Sequence, residues 1–146
     1  MKLDGLEYIS ESVEATRELA REIAGELKAG DVLCLYGDLG AGKTAFVQGL
    51  AKGLGINDHI TSPTFTIVNE YYGDLTLYHF DVYRIADPDE MYEIGYDEYI
   101  YGDGISVIEW PQLIEDILPL NRYDITITKD SEKHDDYRVI RIEERK

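Results

Sequence analysis

Gly37-Asp38-Leu39-Gly40-Ala41-Gly42-Lys43-Thr44 spells a complete phosphate-binding loop, the pattern G-x-x-x-x-G-K-T. The apolar run Asp31-Val32-Leu33-Cys34-Leu35-Tyr36 precedes it, and Ala45-Phe46-Val47-Gln48-Gly49-Leu50-Ala51-Lys52-Gly53-Leu54 follows with helical spacing. Strand, loop and helix in that order are the context the motif requires. Glycines let the loop curl without Cβ clashes, so that backbone N–H groups converge on phosphate oxygens. Lys43 then brings a charge to the β and γ phosphates. Thr44 offers a hydroxyl to Mg²⁺, and the helix it opens turns its positive dipole end toward the anion. A glycine-rich turn with a merely solvated lysine would not need a strand before it and a helix after it.

Working outward, the 146 residues suit one domain with its own core, and 44% hydrophobic residues make it globular. The expectation is a single P-loop domain over residues 1–146. No apolar stretch reaches membrane-spanning length and the first residues lack a signal-peptide core, so a cytoplasmic location and no membrane partner are expected. Cys34, the sole cysteine, falls inside the apolar run and is expected in the core. Thirty acidic against fourteen basic residues give a formal charge of −16. That charge opposes tight direct binding to a nucleic acid. It does not oppose a nucleoside triphosphate, because the loop's field is local and Mg²⁺ neutralises phosphate charge.

Val13, Thr16, Leu19, Ala20, Ile23, Ala24 and Leu27 recur at helical spacing, predicting a helix over 12–28 capped by Ser10 or Ser12. A second helix is expected from Lys43 to Leu54, ended by Gly55. Runs 65–72 and 75–80 read as antiparallel strands joined at Gly73-Asp74 by a tight turn. Asp87-Pro88-Asp89-Glu90 reads as a helix start with a capping box, in a short helix that stops at Gly95. A buried strand over 105–108, a short helix over 111–118 and a terminal pair of strands over 123–128 and 137–143 complete the reading. The sum is an α/β layer fold, a mixed sheet with a parallel core and antiparallel edge strands.

Two of these strands run into carboxylates, Asp81 and Glu109. Ligands of open α/β sheets gather at the carboxyl ends of strands, so both acids are candidates to approach Mg²⁺ beside Thr44. Ser62 and Thr64 lie between the loop helix and the first hairpin strand, where a switch-like loop would close on the γ-phosphate. A proline-containing turn entering a strand is the plain alternative. Arg84 could stabilise phosphate charge or hold Asp81. Trp110, the sole tryptophan, adjoins Glu109 and is either core or part of the site. No histidine pair has metal spacing, so zinc is not expected.

Together Gly37-Asp38-Leu39-Gly40-Ala41-Gly42-Lys43-Thr44, Ser62-Pro63-Thr64-Phe65, Tyr78-His79-Phe80-Asp81-Val82-Tyr83-Arg84 and Ile108-Glu109-Trp110-Pro111 resemble the TsaE family of small bacterial ATPases. The resemblance implies an ATPase needed to make threonylcarbamoyladenosine in tRNA, hydrolysing ATP to ADP while docked on the TsaD and TsaB proteins, which perform the transfer chemistry. It also implies Lys43 and Thr44 as phosphate and Mg²⁺ residues, Asp81 and Glu109 as acidic site residues, and Ser62 and Thr64 as the switch-like loop. Three alternatives stand beside it, one of them a non-enzymatic, ATP-dependent docking module in which hydrolysis is incidental. A GTPase-like switch shares the element order, and Asn121-Arg122-Tyr123-Asp124 imitates a guanine-reading motif but precedes a strand and lacks the lysine. A small-molecule kinase would need a lid and more arginines than Arg84.

Overall fold

The computed structural model describes residues 1–38, 40–63 and 66–146. Along the chain run β1 (Glu7–Ser10), α1 (Val13–Ala24), β2 (Val32–Tyr36), α2 (Lys43–Gly53), β3 (Val68–Tyr71), β4 (Leu77–Asp81), α3 (Glu90–Glu93) and α4 (Tyr96–Ile100). β5 (Ile105–Glu109), a 3-10 helix (Pro111–Ile117), β6 (Arg122–Lys129) and β7 (Arg138–Arg145) follow. The strands form one sheet in the order β1-β7-β6-β2-β5-β4-β3. β6, β2, β5 and β4 are mutually parallel, while β7, β1 and β3 add antiparallel edges. The expected mixed sheet is the one observed.

Side-chain alternation in β2 divides the core in two. Leu33 and Leu35 pack with Leu19, Ile23, Phe46 and Leu50 from α1 and α2. Val32 and Cys34 point the other way, to Phe80, Met91, Tyr96, Ile108 and Ile114. Cys34 is fully buried, and that burial pushes its thiol up to about 12, so it is an inert packing residue as expected. Among the described residues no helix is long and apolar enough to cross a membrane.

The local signals mostly hold, with five corrections. Ser12 caps α1, its Oγ accepting from Ala15 N at 3.0 Å, while Ser10 Oγ instead pairs with buried Thr16 Oγ1 at 2.7 Å. α1 stops at Ala24 instead of residue 28. Beyond Gly25 the amides turn back in short three-residue bonds, and Asp31 Oδ2 takes the Lys28 amide at 2.9 Å, so the local side chain competes successfully with the helix. β1 was not foreseen: three of its four residues are exposed, so it lacks the alternating apolar signal of a half-buried strand. The β3–β4 connection covers residues 72–76 and is no two-residue turn. Asp74 N donates to Leu54 O at 2.8 Å, which anchors this connection on the end of α2. The segment expected as an ordinary helix over 111–118 is a 3-10 helix kinked at Ile114. Glu90 Oε2 accepts from Asp87 N and Asp87 Oδ1 from Asp89 N, both at 2.9 Å, but α3 begins only at Glu90, with Asp89 as its N-cap and no side-chain cap bond, and α4 follows Gly95.

α1 and α2 approach so closely that glycine is required between them. A Cβ on Gly49 would overlap the Arg17 carbonyl, and one on Gly53 would stand 2.5 Å from both Ala24 Cβ and Arg21 O. This contact fixes the helix that carries Lys43 and Thr44. Gly49→Ala is therefore expected to destabilise the chain by about 1–3 kcal/mol through overpacking. Denaturant unfolding measures it, and an unchanged midpoint would contradict the close crossing.

Candidate phosphate-binding site

Parallel register brings the site together. Leu35, one residue before the end of β2, pairs with Glu109 at the end of β5, and Glu109 pairs with Asp81 at the end of β4. The loop that leaves β2 therefore begins at the same sheet edge where both acids end their strands. Gly40 and Gly42 adopt positive φ of 80° and 104°, which a side chain would strain, and Ala41 N closes the turn on Asp38 O at 3.0 Å. Lys43 and Thr44 open α2. Gly37, Asp38, Gly40, Ala41, Gly42, Lys43 and Thr44 are thus placed together as one loop and helix start. Leu39 lies outside the described residues.

Lys43 is only 5% exposed, and its Nζ has no hydrogen-bond partner among the described residues. It lies 3.5 Å from the centroid of the Trp110 ring, a cation–π contact. Burial lowers its basicity from the ordinary lysine value, against opposition from the charges of Glu109, Asp81 and Asp38. Trp110 is held between Lys43 and Tyr83, whose ring centroid is 4.9 Å away. Among the described residues it is the only non-glycine residue with positive φ, 61°. Such a conformation costs on the order of 1–3 kcal/mol and survives only where the surroundings enforce it, here between a strand end and Pro111.

Glu109 is 3% exposed and His79 fully buried. His79 Nε2 donates to Glu109 Oε2 at 2.6 Å, since a carboxylate only accepts. Ser62 Oγ donates to the same oxygen at 3.5 Å, which ties the candidate switch segment to the acid. Thr64 falls outside the described residues. Asp81 is half-buried, and its Oδ1 accepts from Tyr83 N at 3.0 Å. Burial, then the charge of Glu109, pushes the Asp81 carboxyl above its ordinary value, against the Tyr83 amide, His79 and Lys43. Arg84 does not hold Asp81. It is exposed and makes no side-chain hydrogen bond or ion pair among the described residues, because the turn after β4 carries it to solvent.

The donor set suits one hard cation. Two carboxylates lie side by side, with an exposed Thr44 hydroxyl at the start of the helix. No group of three His, Cys, Asp or Glu that could enclose a metal occurs among the described residues. Mg²⁺ shares one or two carboxylates with hydroxyl, phosphate and water, and the chemistry of this set fits it. Equally, an unpartnered buried ammonium behind a loop of backbone amides fits an anion.

Two residues of the site were not legible as site residues. His79 reads in sequence as one residue of an alternating strand, and only the β4–β5 pairing places it on Glu109. Arg138, at the start of β7, donates from Nε to Ala41 O at 2.8 Å and from Nη2 to Gly40 O at 3.2 Å across 97 and 98 residues of sequence. Meanwhile Asp124, in the imitation of a guanine-reading motif, is tied by Arg122 and Arg145 at 2.9 Å each near the amino end of β6. This is away from the carboxyl ends where the loop lies, so the motif does not serve the site.

Comparison with known proteins converges on one family. The family model "Threonylcarbamoyl adenosine biosynthesis protein TsaE" matches residues 10–140. The tRNA threonylcarbamoyladenosine biosynthesis protein TsaE of Bacillus subtilis (strain 168) is 49% identical over 125 residues, 85% of this chain and 78% of that protein. Its counterpart from Treponema pallidum (strain Nichols) is 47% identical over 120 residues, 82% and 87% of the two chains. The crystal structure of Bacillus subtilis YdiB aligns with a TM-score of 0.78 and 42% identity, covering 99% of this chain and 88% of that one.

Removing the imidazole in His79→Ala leaves a buried carboxylate without its best donor, which is expected to lower stability by about 1–3 kcal/mol. His79→Gln, which keeps an N–H donor, should lose less. Equal denaturation midpoints for wild type and His79→Ala would contradict the pairing.

Proposed function

The chain belongs to the TsaE family of threonylcarbamoyl adenosine biosynthesis proteins, and from that membership and the geometry around Lys43 we propose that it is an Mg²⁺-dependent ATPase of tRNA threonylcarbamoyladenosine synthesis. The observation that carries the ATPase reading is the buried Lys43 ammonium. It stands without a hydrogen-bond partner among the described residues, behind an amide-lined loop and beside two strand-end carboxylates.

In this reading the amides of the loop bind the β and γ phosphates, and Lys43 leaves the Trp110 face to meet them. Thr44, Asp81 and Glu109 would hold Mg²⁺, and the ion would supply Lewis-acid polarisation of the phosphate oxygens. Water attacks the γ-phosphorus, forming one P–O bond as the bond to the β–γ bridging oxygen breaks, and ADP and phosphate result. Glu109 is kept in one orientation by His79, with its second oxygen left for the metal or its water. Asp81, beside Glu109, would help orient the attacking water, whose proton leaves with the released phosphate. Ser62 touches the same Glu109 oxygen as His79, so a rearrangement of that segment would be felt directly at the acid.

Slow turnover in isolation and stimulation on the TsaD–TsaB pair follow from what the site lacks. Arg84 is exposed, and among the described residues no arginine pairs with Asp81 or Glu109. A docked partner would supply that group or order the Ser62 segment, and ATP would then tighten docking relative to ADP. The acidic surface favours a protein partner over direct tRNA binding. A cytoplasmic location is part of the same proposal.

Reconstitution of tRNA modification from TsaD, TsaB, the adenylate-forming enzyme and tRNA tests the reading. Repeated turnover should require this chain and ATP, and Lys43→Ala should abolish it. Glu109→Gln should lower hydrolysis on the order of 100-fold while ATP affinity changes far less, because the carboxylate acts as charge moves in the transition state. Full modification without the chain, or with Lys43→Ala, would contradict the proposal.

A further inference from the structure

We propose that Arg138 is a positioning residue of the phosphate site, and that the β6–β7 hairpin it belongs to is a built wall of the loop. The inference rests on the reading of residues 37–44 as the phosphate-binding element. A guanidinium carries five N–H donors in a fixed fork. Those of Arg138 are directed to four backbone carbonyls: Ala41 O at 2.8 Å, Gly40 O at 3.2 Å, Tyr137 O at 2.9 Å and Asp135 O. Two of these belong to the phosphate loop and two to the hairpin turn, so one side chain joins segments almost a hundred residues apart.

The bonding pattern determines which way the loop amides face. In a trans peptide the N–H points opposite to the C=O. Holding the Ala41 carbonyl toward Arg138 therefore turns the Gly42 N–H away from it, and holding the Gly40 carbonyl sets the plane from which Ala41 N reaches Asp38 O at 3.0 Å. The cation also neutralises two carbonyl dipoles that would repel a phosphate if they turned inward. With its donors directed at carbonyls, Arg138 does not serve as an arginine finger.

The neighbouring geometry agrees. Lys129 is the cross-strand partner of Arg138, and its Nζ stands 3.7 Å from where a Cβ on Gly40 would be. Arg138 Nε stands 3.8 Å from the corresponding position on Gly42. Ile127 O of the same hairpin lies 2.8 Å from where a Cβ on Gly37 would be. Glycines at 37, 40 and 42 thus leave room for the hairpin as well as for a ligand. In a chain of formal charge −16, two of fourteen basic residues are cross-strand partners at this one loop.

The test is calorimetric titration of Arg138→Gln, Arg138→Lys and, as a control on the same strand, Arg141→Gln, with inorganic tripolyphosphate and with MgATP. Arg141 pairs with Glu7 at 2.9 Å, away from the loop. Arg138→Gln is expected to weaken both ligands about 10-fold to 100-fold, the scale on which partners behind a binding group act. Arg138→Lys keeps the charge but not the fork and should retain most of that loss, while Arg141→Gln should bind like wild type. Wild-type affinity in a folded Arg138→Gln or Arg138→Lys would overturn the inference. Should neither fold, nuclear magnetic resonance of the wild type decides. The Arg138 Nε–H should be protected from exchange and shift on tripolyphosphate addition, and a freely exchanging, unresponsive signal would overturn the inference. A wild type that binds neither ligand would overturn the phosphate-loop reading and this inference with it, whereas wild-type binding matched by the variants would overturn this inference alone.

Discussion

Parallel pairing of β2 with β5, and of β5 with β4, is the constraint on which the site depends. It fixes Leu35 opposite Glu109 and Glu109 opposite Asp81, so the phosphate loop and both carboxylates meet at one sheet edge. A one-residue slip in either pairing would send the acid to the other face, where Phe80 and Ile108 pack against Met91 and Tyr96. Both strands are buried on both faces and bring Leu77, Phe80, Ile105, Val107 and Ile108 to the two cores, so such a slip would expose or mismatch a core. Register is set by hydrophobic burial, and the chemistry inherits its geometry from that burial.

At that edge the electrostatics are local and nearly balanced. A buried ammonium on α2, the buried Glu109 and His79 and the half-buried Asp81 lie together there. Burial disfavours charge on Lys43 and on Asp81, and their mutual attraction offsets only part of that. The Trp110 face offers Lys43 a weak resting contact, worth about 0.5–2 kcal/mol. In the proposed reading a triphosphate would offer far more, so the lysine would be held close to its work without being trapped there. The large negative charge of the chain does not decide matters inside this site.

Much of this was legible in the sequence. The loop, its flanking strand and helix, the two strand-end acids and the mixed sheet follow from short-range pattern, because glycine spacing and apolar runs are local properties. What stayed hidden depended mostly on contacts between distant segments, and in one case on a local side chain competing with a helix. β1 is a short exposed edge strand with no periodic signal, held only by β7. The early end of α1 reflects Asp31 competing for the Lys28 amide. Gly73-Asp74 looked like a tight turn, but this segment is pinned to the end of α2. His79 gains meaning from β5, and Arg138 from a loop almost a hundred residues earlier. Arg84 was close to Asp81 in sequence yet faces solvent, a reminder that short spacing after a strand does not set direction.

The central claim is that Lys43 rests against Trp110 and is released to a bound triphosphate. Trp110 is the only tryptophan in the chain, so its fluorescence reports this contact without a label. Titration of the wild-type chain with MgATP, following tryptophan emission, should give a saturable change as the ammonium leaves the ring it now lies 3.5 Å above. No change at ATP concentrations shown by calorimetry to saturate the chain, or no binding at all, would contradict the account.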